Sequence, residues 1–285
     1  MKNTNTIFSL CIKYLILIFF ILSSSISSYS AHEAQKDQEA KPKEAPAPEE
    51  KKKITLVSDY YCPYACTPGT DREGMLVELA RKAFAKHGIE VEYKVMKWDL
   101  ALKAVHVGTV DGILAAKIEE IKATFPSVSQ ATSQTGAFVK DDSDWFYDGA
   151  VSLRDKVVGL VEGYSYPLEL RSYIYSNYLT KPQNFVFSAA ENAVEQNIDK
   201  LQSGEIAVYI EDENVVNHYT AISNIKNVKN VGYVSPIPTK LYIAFCKFNP
   251  ASQKYAKILT DETVSMRSNL ELQKLLEKYN MKEFY

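Results

Sequence analysis

From Ile54 onward the chain alternates short apolar runs with longer stretches in which apolar residues recur three and four apart. Ile54-Thr-Leu-Val-Ser58 is a continuous apolar run of strand length, of the kind buried on both faces of a parallel sheet. Glu73–Phe84 has helical spacing, with Gly88 placed as a C-cap glycine. Val91–Met96 alternates as a strand. Leu100–Val107 reads as a helix, with Asp99 as its expected N-cap and Gly108 as its end, and Asp111–Ala116 is a third strand. Strand, helix, strand, helix, strand in this succession is a parallel α/β unit with right-handed crossovers.

The pattern loosens through 118–133 and resumes with a strand at Gly136–Lys140. A second unit follows: strand Lys156–Val161, a glycine turn at Gly163 with Ser165 as expected N-cap, strand Phe185–Phe187, helix Ala190–Gln202 ended by Gly204, and strand Ile206–Ile210. Glu211 and Asp212 stand at the carboxyl end of that last strand, before a helix over Glu213–Ile222 and a short strand at Val231–Val234. A strand at Leu241–Cys246 and helices at Ala251–Arg267 and Asn269–Tyr279 complete the chain. Open α/β sheets take ligands beyond the carboxyl ends of their strands, and crevices between units are favoured. That directs attention to Tyr60, Tyr61, Cys62, Pro63, Tyr64 and Cys66, which follow the first strand.

Composition adds exclusions. With 285 residues and a net charge of −2 there is no basic excess to suit nucleic acid, whereas 19 tyrosines against 2 tryptophans supply stacking faces with polar tips. The first thirty residues carry the apolar run Tyr14–Leu22, too short to span a bilayer comfortably, and then a serine-rich end. They read as a secretory signal cut near Ser30, with an uncleaved anchor as the alternative. Residues 31–53 are Ala, Pro and alternating Glu and Lys, an extended linker with nothing to bury. Export leaves Cys62, Cys66 and Cys246. In an oxidising compartment the first two are expected to pair, and Cys246, inside an apolar run, reads as a buried free thiol. One Cys-x-x-x-Cys with scattered histidines makes no metal-ligand set, and no motif calls for a cofactor.

The sequence resembles the family-3 solute-binding proteins of bacterial ABC importers, the polar-amino-acid-binding kind of type II periplasmic binding protein. The resemblance rests on Tyr61-Cys-Pro-Tyr64, Gly74-Met-Leu-Val-Glu-Leu-Ala80, Met96-Lys-Trp98, Gly108-Thr-Val-Asp-Gly-Ile113 and Phe125-Pro-Ser127. It continues in Val158-Gly-Leu-Val-Glu-Gly163, Gly204–Asp212, Tyr242–Lys247 and Asn249-Pro250. It implies an α/β fold of two parallel-sheet lobes, 54–131 with 242–285 and 132–241, joined by hinge crossings near 132–136 and 236–241. It also implies a ligand set. Tyr61 and Trp98 would be aromatic walls with Tyr64 beside them. Ala115 and Lys117 would lie at the third strand's end, and Tyr164 and Ser165 at a helix start that receives an anionic group. Asp212, flanked by Glu211, would receive the ligand's ammonium. One departure stands out: where amino-acid binders of the family carry an arginine that clamps the α-carboxylate, this chain reads Lys117-Ile-Glu-Glu-Ile-Lys-Ala-Thr-Phe125. Lysine is a point charge and not a bidentate fork. The expected function is therefore a monomeric periplasmic receptor that passes a small polar solute to a membrane permease. The alternatives are an anchored sensing module or, from the same fold, a dehydratase-like enzyme pairing Asp212 or Glu211 with Lys117.

Overall fold

A computed structural model describes residues 53–189 and 192–284. The expected signal and nearly all of the linker lie outside them, as does the start of the helix expected from Ala190. The chain runs β1 (Lys53–Ser58), α1 (Met75–Ala85), β2 (Glu90–Val95), α2 (Trp98–Val107), β3 (Gly112–Ala116), β4 (Ala131–Ser133), β5 (Thr135–Lys140) and β6 (Val158–Val161). It continues α3 (Leu168–Tyr178), β7 (Phe185–Ser188), α4 (Ala193–Ser203), β8 (Val208–Asp212), α5 (Glu213–Ile222), β9 (Val228–Tyr233), β10 (Thr239–Phe245), α6 (Ser252–Ser268) and α7 (Glu271–Lys278).

Two five-stranded sheets result, ordered β2-β1-β3-β10-β4 and β7-β6-β8-β5-β9. The two-lobed type II periplasmic binding fold is what these sheets and their flanking helices build. Each sheet is mixed and not purely parallel as expected. β1 pairs in parallel with β2 and β3, and β6 with β7 and β8, but β10 is antiparallel to β3 and β5 to β8. The reason is topological: β5 and β10 each arrive from the other sheet, so they enter against the direction set by the crossovers. The chain passes between sheets at Gln134, between β4 and β5, and again between Tyr233 and Thr239.

Local signals hold at the glycine caps. Gly108 and Gly204 both take left-handed C-cap conformations, with φ of 79° and 81°. Two expected N-caps differ. Lys97 is the residue before α2, whose first helical residue is Trp98, so Asp99 sits inside the first turn and faces the positive helix end. Pro167, not Ser165, precedes α3, because its fixed φ suits the entry and leaves Ser165 in the loop.

The β1–α1 loop docks onto α1 through backbone. Met75 and Leu76 N–H donate to the carbonyls of Pro63 (2.8 Å) and Tyr64 (3.0 Å), so the loop satisfies the orphan donors of the helix start. Gly74 makes this approach possible. Its φ is 114°, and a Cβ there would lie 2.6 Å from the Tyr64 carbonyl oxygen and 2.7 Å from Ala65 Cα. Gly74→Ala should therefore destabilise the fold by roughly 3 kcal/mol in urea unfolding, since backbone on both sides must move. A loss below about 1 kcal/mol would show that the junction yields easily.

Candidate ligand-binding cleft

β1 and β3 in the first sheet, and β6 and β8 in the second, end in the loops that carry the expected site residues. Tyr61 and Tyr64 stack, with ring centroids 4.8 Å apart and planes inclined by 19°. Tyr164, after β6, meets Tyr61 edge-on at 6.1 Å and 89°. Lys117 Nζ reaches the Ser165 carbonyl at 3.4 Å while lying 3.4 Å from Glu120 Oε1. The first and second sheets thus touch through an aromatic pair and a lysine–carbonyl contact. It is the main chain of Ser165, not its hydroxyl, that takes part.

Burial holds the Tyr61, Tyr64 and Tyr164 phenols well above the ordinary tyrosine value, so each keeps its proton as a donor. Trp98, the other expected wall, packs on the first sheet's side. It is half-buried among Val57, Ala101, Val105 and Ile113, and the ring that meets Tyr61 from across the cleft is Tyr164. Ala115 has φ of 61°, at the place where the β3–β10 register shifts between Tyr242 and Ala244. A left-handed alanine costs roughly 1–2 kcal/mol, so backbone strain is stored at the cleft end of β3.

Asp212 is only 3% exposed, and its carboxylate serves the crossing between sheets. Oδ2 accepts from Ser133 Oγ (2.6 Å) and Gln134 N (3.0 Å), and Oδ1 accepts from Val215 N (3.0 Å), which makes Asp212 the N-cap of α5. The Tyr64 hydroxyl lies 3.2 Å from both oxygens, also reaches the Thr132 carbonyl at 2.9 Å, and accepts from Asn214 Nδ2 at 3.0 Å. Burial pushes Asp212 up to about 6, opposed by those hydrogen bonds. Glu211 points the other way, as alternation on a strand requires. Its Oε2 accepts from Tyr209 Oη (2.7 Å) and its Oε1 from Asp212 N (2.7 Å). Burial raises its carboxyl to about 8, with the neighbouring Asp212 charge adding to the rise.

Several participants were not foreseen. Asp59, directly after β1, is pushed up to about 6 by burial, and its near donor is Ser58 Oγ at 3.4 Å. Its signal was available, an acid at the carboxyl end of an apolar strand. Ser133, Gln134 and Asn214 carry no signal until the crossing is known. Nor does His218 of α5, whose Nε2 lies 3.6 Å from Cys62 Sγ. Cys62 and Cys66 form a disulfide, and Cys246 is free and buried.

The C-terminal residues fasten the same corner. Lys282 N donates to Asn214 Oδ1 (2.7 Å), Asn214 Nδ2 donates to the Lys282 carbonyl (3.0 Å), and Lys282 Nζ pairs with Glu213 (2.8 Å). Phe284 N donates to Thr132 Oγ1 (2.8 Å). Among the described residues no group of three or more His, Cys, Asp or Glu could hold a metal, and no helix is long and apolar enough to cross a membrane.

Comparison with solved structures finds the same fold repeatedly. An ancestral arginine-binding protein bound to arginine matches with TM-score 0.62 and 18% identity, over 80% of this chain and 98% of that one. An amino acid ABC transporter substrate-binding protein, AbpA, from Streptococcus pneumoniae bound to L-arginine matches at 0.60 and 19%, over 80% and 94%. A structure concerned with glutathione import via GshT and the cystine ABC importer TcyBC of Streptococcus mutans matches at 0.65 and 15%, over 83% and 98%. No curated protein sequence matches. A family model matches residues 54–282, which include every strand and helix described above except the first residue of β1, and the chain accordingly belongs to the bacterial extracellular solute-binding proteins, family 3.

Proposed function

We propose that this protein captures a small, positively charged polar solute between its two lobes outside the cytoplasmic membrane and delivers it to an ABC-type permease. The observation that carries the reading is the meeting of Tyr61 and Tyr164 across the cleft, with protonated phenols on both sides. A solute bound beside that aromatic contact touches both sheets at once and so favours their approach. The charge preference rests on the carboxyls of Asp59 and Asp212 at the strand ends, together with the absence of an arginine from 117–125. A cation stacks on tyrosine faces and repays the burial of a nearby carboxylate. Two of the structural neighbours contain arginine, which agrees with a cationic ligand. Family membership favours binding without chemistry, and it supplies the permease as partner.

The test is thermal unfolding of the full chain with arginine, lysine, simple amines, neutral amino acids and organic acids. A cation at 100 times its dissociation constant should stabilise by about 2.7 kcal/mol, and Tyr164→Ala should abolish that gain. Stabilisation by organic acids alone would reverse the charge assignment. No response to any cation would remove the reading.

A further inference from the structure

The Cys62–Cys66 disulfide has a third member. His218, on the first helix after β8, brings Nε2 to 3.6 Å from Cys62 Sγ. Its other ring nitrogen lies 3.1 Å from the carbonyl of Tyr279. A carbonyl only accepts, so Nδ1 carries the ring proton and Nε2 turns a lone pair toward the sulfur. Burial lowers the His218 value below that of an ordinary histidine, which maintains this neutral tautomer at pH 7. A disulfide sulfur has no proton to offer a lone pair, but a thiol does. The imidazole is therefore arranged for the reduced form of Cys62 rather than for the oxidised one. The two sulfurs also differ in access, since Cys62 is half-buried and Cys66 is only 4% exposed.

We propose that Cys62, Cys66 and His218 form a thiol–disulfide exchange centre that reacts with small-molecule thiols and disulfides. In the reducing direction an external thiolate attacks Cys62 Sγ, the S–S bond breaks, and Cys66 leaves as a thiolate that takes a proton from water. A second external thiolate then attacks the outer sulfur of the mixed disulfide and frees Cys62, which is protonated and donates to His218 Nε2. The sum is two external thiols oxidised to one disulfide and one protein disulfide reduced to two thiols. In the oxidising direction His218 Nε2 takes the Cys62 proton, and the thiolate attacks an external disulfide. The departing thiolate takes the proton back from the imidazolium, and Cys66 then displaces the bound half as a second thiol. The centre lies in the loop that carries Tyr61 and Tyr64, so its state alters the cleft wall directly.

The experiment equilibrates the full chain with mixtures of reduced and oxidised glutathione and counts modified cysteines by peptide mass. The Cys62–Cys66 pair should pass from oxidised to reduced within those mixtures. His218→Phe should shift the midpoint about tenfold toward stronger reducing mixtures, because it removes the acceptor that stabilises the reduced form. In Cys66→Ala, Cys62 should form a mixed disulfide with oxidised glutathione, and iodoacetamide should alkylate it at pH 7 about tenfold faster than in Cys66→Ala with His218→Phe. A pair that stays oxidised in reduced glutathione alone is a structural staple and overturns the proposal. So does a midpoint that His218→Phe leaves unchanged. The glutathione titration decides the matter even where Cys66→Ala fails to fold.

Discussion

Asp212→Ala should lower the unfolding free energy by about 4 kcal/mol, because one carboxylate closes several buried bonds that nothing else can close. The Ser133 hydroxyl, the Gln134 N–H and the Val215 N–H all donate to it, and Tyr64 stands against both oxygens. Alanine removes the acceptor and leaves those donors in a place that is 3% exposed for the residue itself. Each orphaned buried donor costs roughly 1–3 kcal/mol, reduced by whatever relaxation the site allows. Asp212→Asn keeps one acceptor oxygen for the α5 cap but turns an amide N–H₂ toward Gln134 N or Ser133, so about half the loss should remain. Urea unfolding of both variants measures this. A loss below about 1 kcal/mol for alanine would mean that water replaces the carboxylate without strain.

The second large effect is in pH. Glu211 is raised from 4.5 to about 8, and Asp212 from 3.8 to about 6, in both cases first by burial. A carboxyl whose folded value lies above its unfolded one binds more protons in the folded state across that interval. Stability is then fully present below the unfolded value and is lost as pH rises through the folded one. Among the described residues, the side chains that bond these acids are hydroxyls and not cations. Tyr209 bonds Glu211, Tyr64 bonds Asp212, and the charges of the two acids bear on Tyr61, Tyr164 and Tyr166. His218, lowered by burial, acts in the opposite sense below its usual 6.5, so the decline is clearest above that pH. Unfolding free energy should fall by on the order of 4 kcal/mol from pH 5 to pH 8, with most of it above pH 6. Glu211→Gln keeps an acceptor oxygen for Asp212 N–H and turns its N–H₂ toward the Tyr209 hydroxyl, which can accept, and it should flatten most of the slope. Stability that rises across this range would show that both acids are ionised in the folded state.

What the sequence reveals of this molecule follows the range over which each feature is encoded. The order of strands and helices from β1 onward is local, and the hydrophobic period shows it. The left-handed caps at Gly108 and Gly204 are local too, since only glycine takes that conformation without cost. β4 escapes because three residues are too few to display a period. The antiparallel return of β5 and β10 escapes because direction depends on which sheet the chain has just left. In the cleft, Tyr61 and Tyr164 are legible as aromatics at strand ends, but their contact spans both lobes. Asp212 is legible as a buried strand-end acid. Its task in the crossing is set by Ser133 and Gln134, 79 and 78 residues away, which no spacing rule connects to it. Cys62 and His218 lie 156 residues apart and meet only because α5 packs beside the β1–α1 loop.

The bonds that gather on residues 212–214 also decide how the halves can part. Tyr64, Ser133 and Gln134 hold Asp212, while Lys282 holds Glu213 and Asn214, so the start of α5, which follows the second sheet's β8, is anchored to the first half. Any separation that keeps those bonds must turn about this corner as a door turns on its jamb. The corner itself scarcely travels. Lys117 and Ser165 are joined across the halves by a single 3.4 Å contact, against the several bonds at Asp212. Probes placed at the Asp212 corner should report little motion, while a pair at Lys117 and Ser165, where a single contact must break, should report the opening.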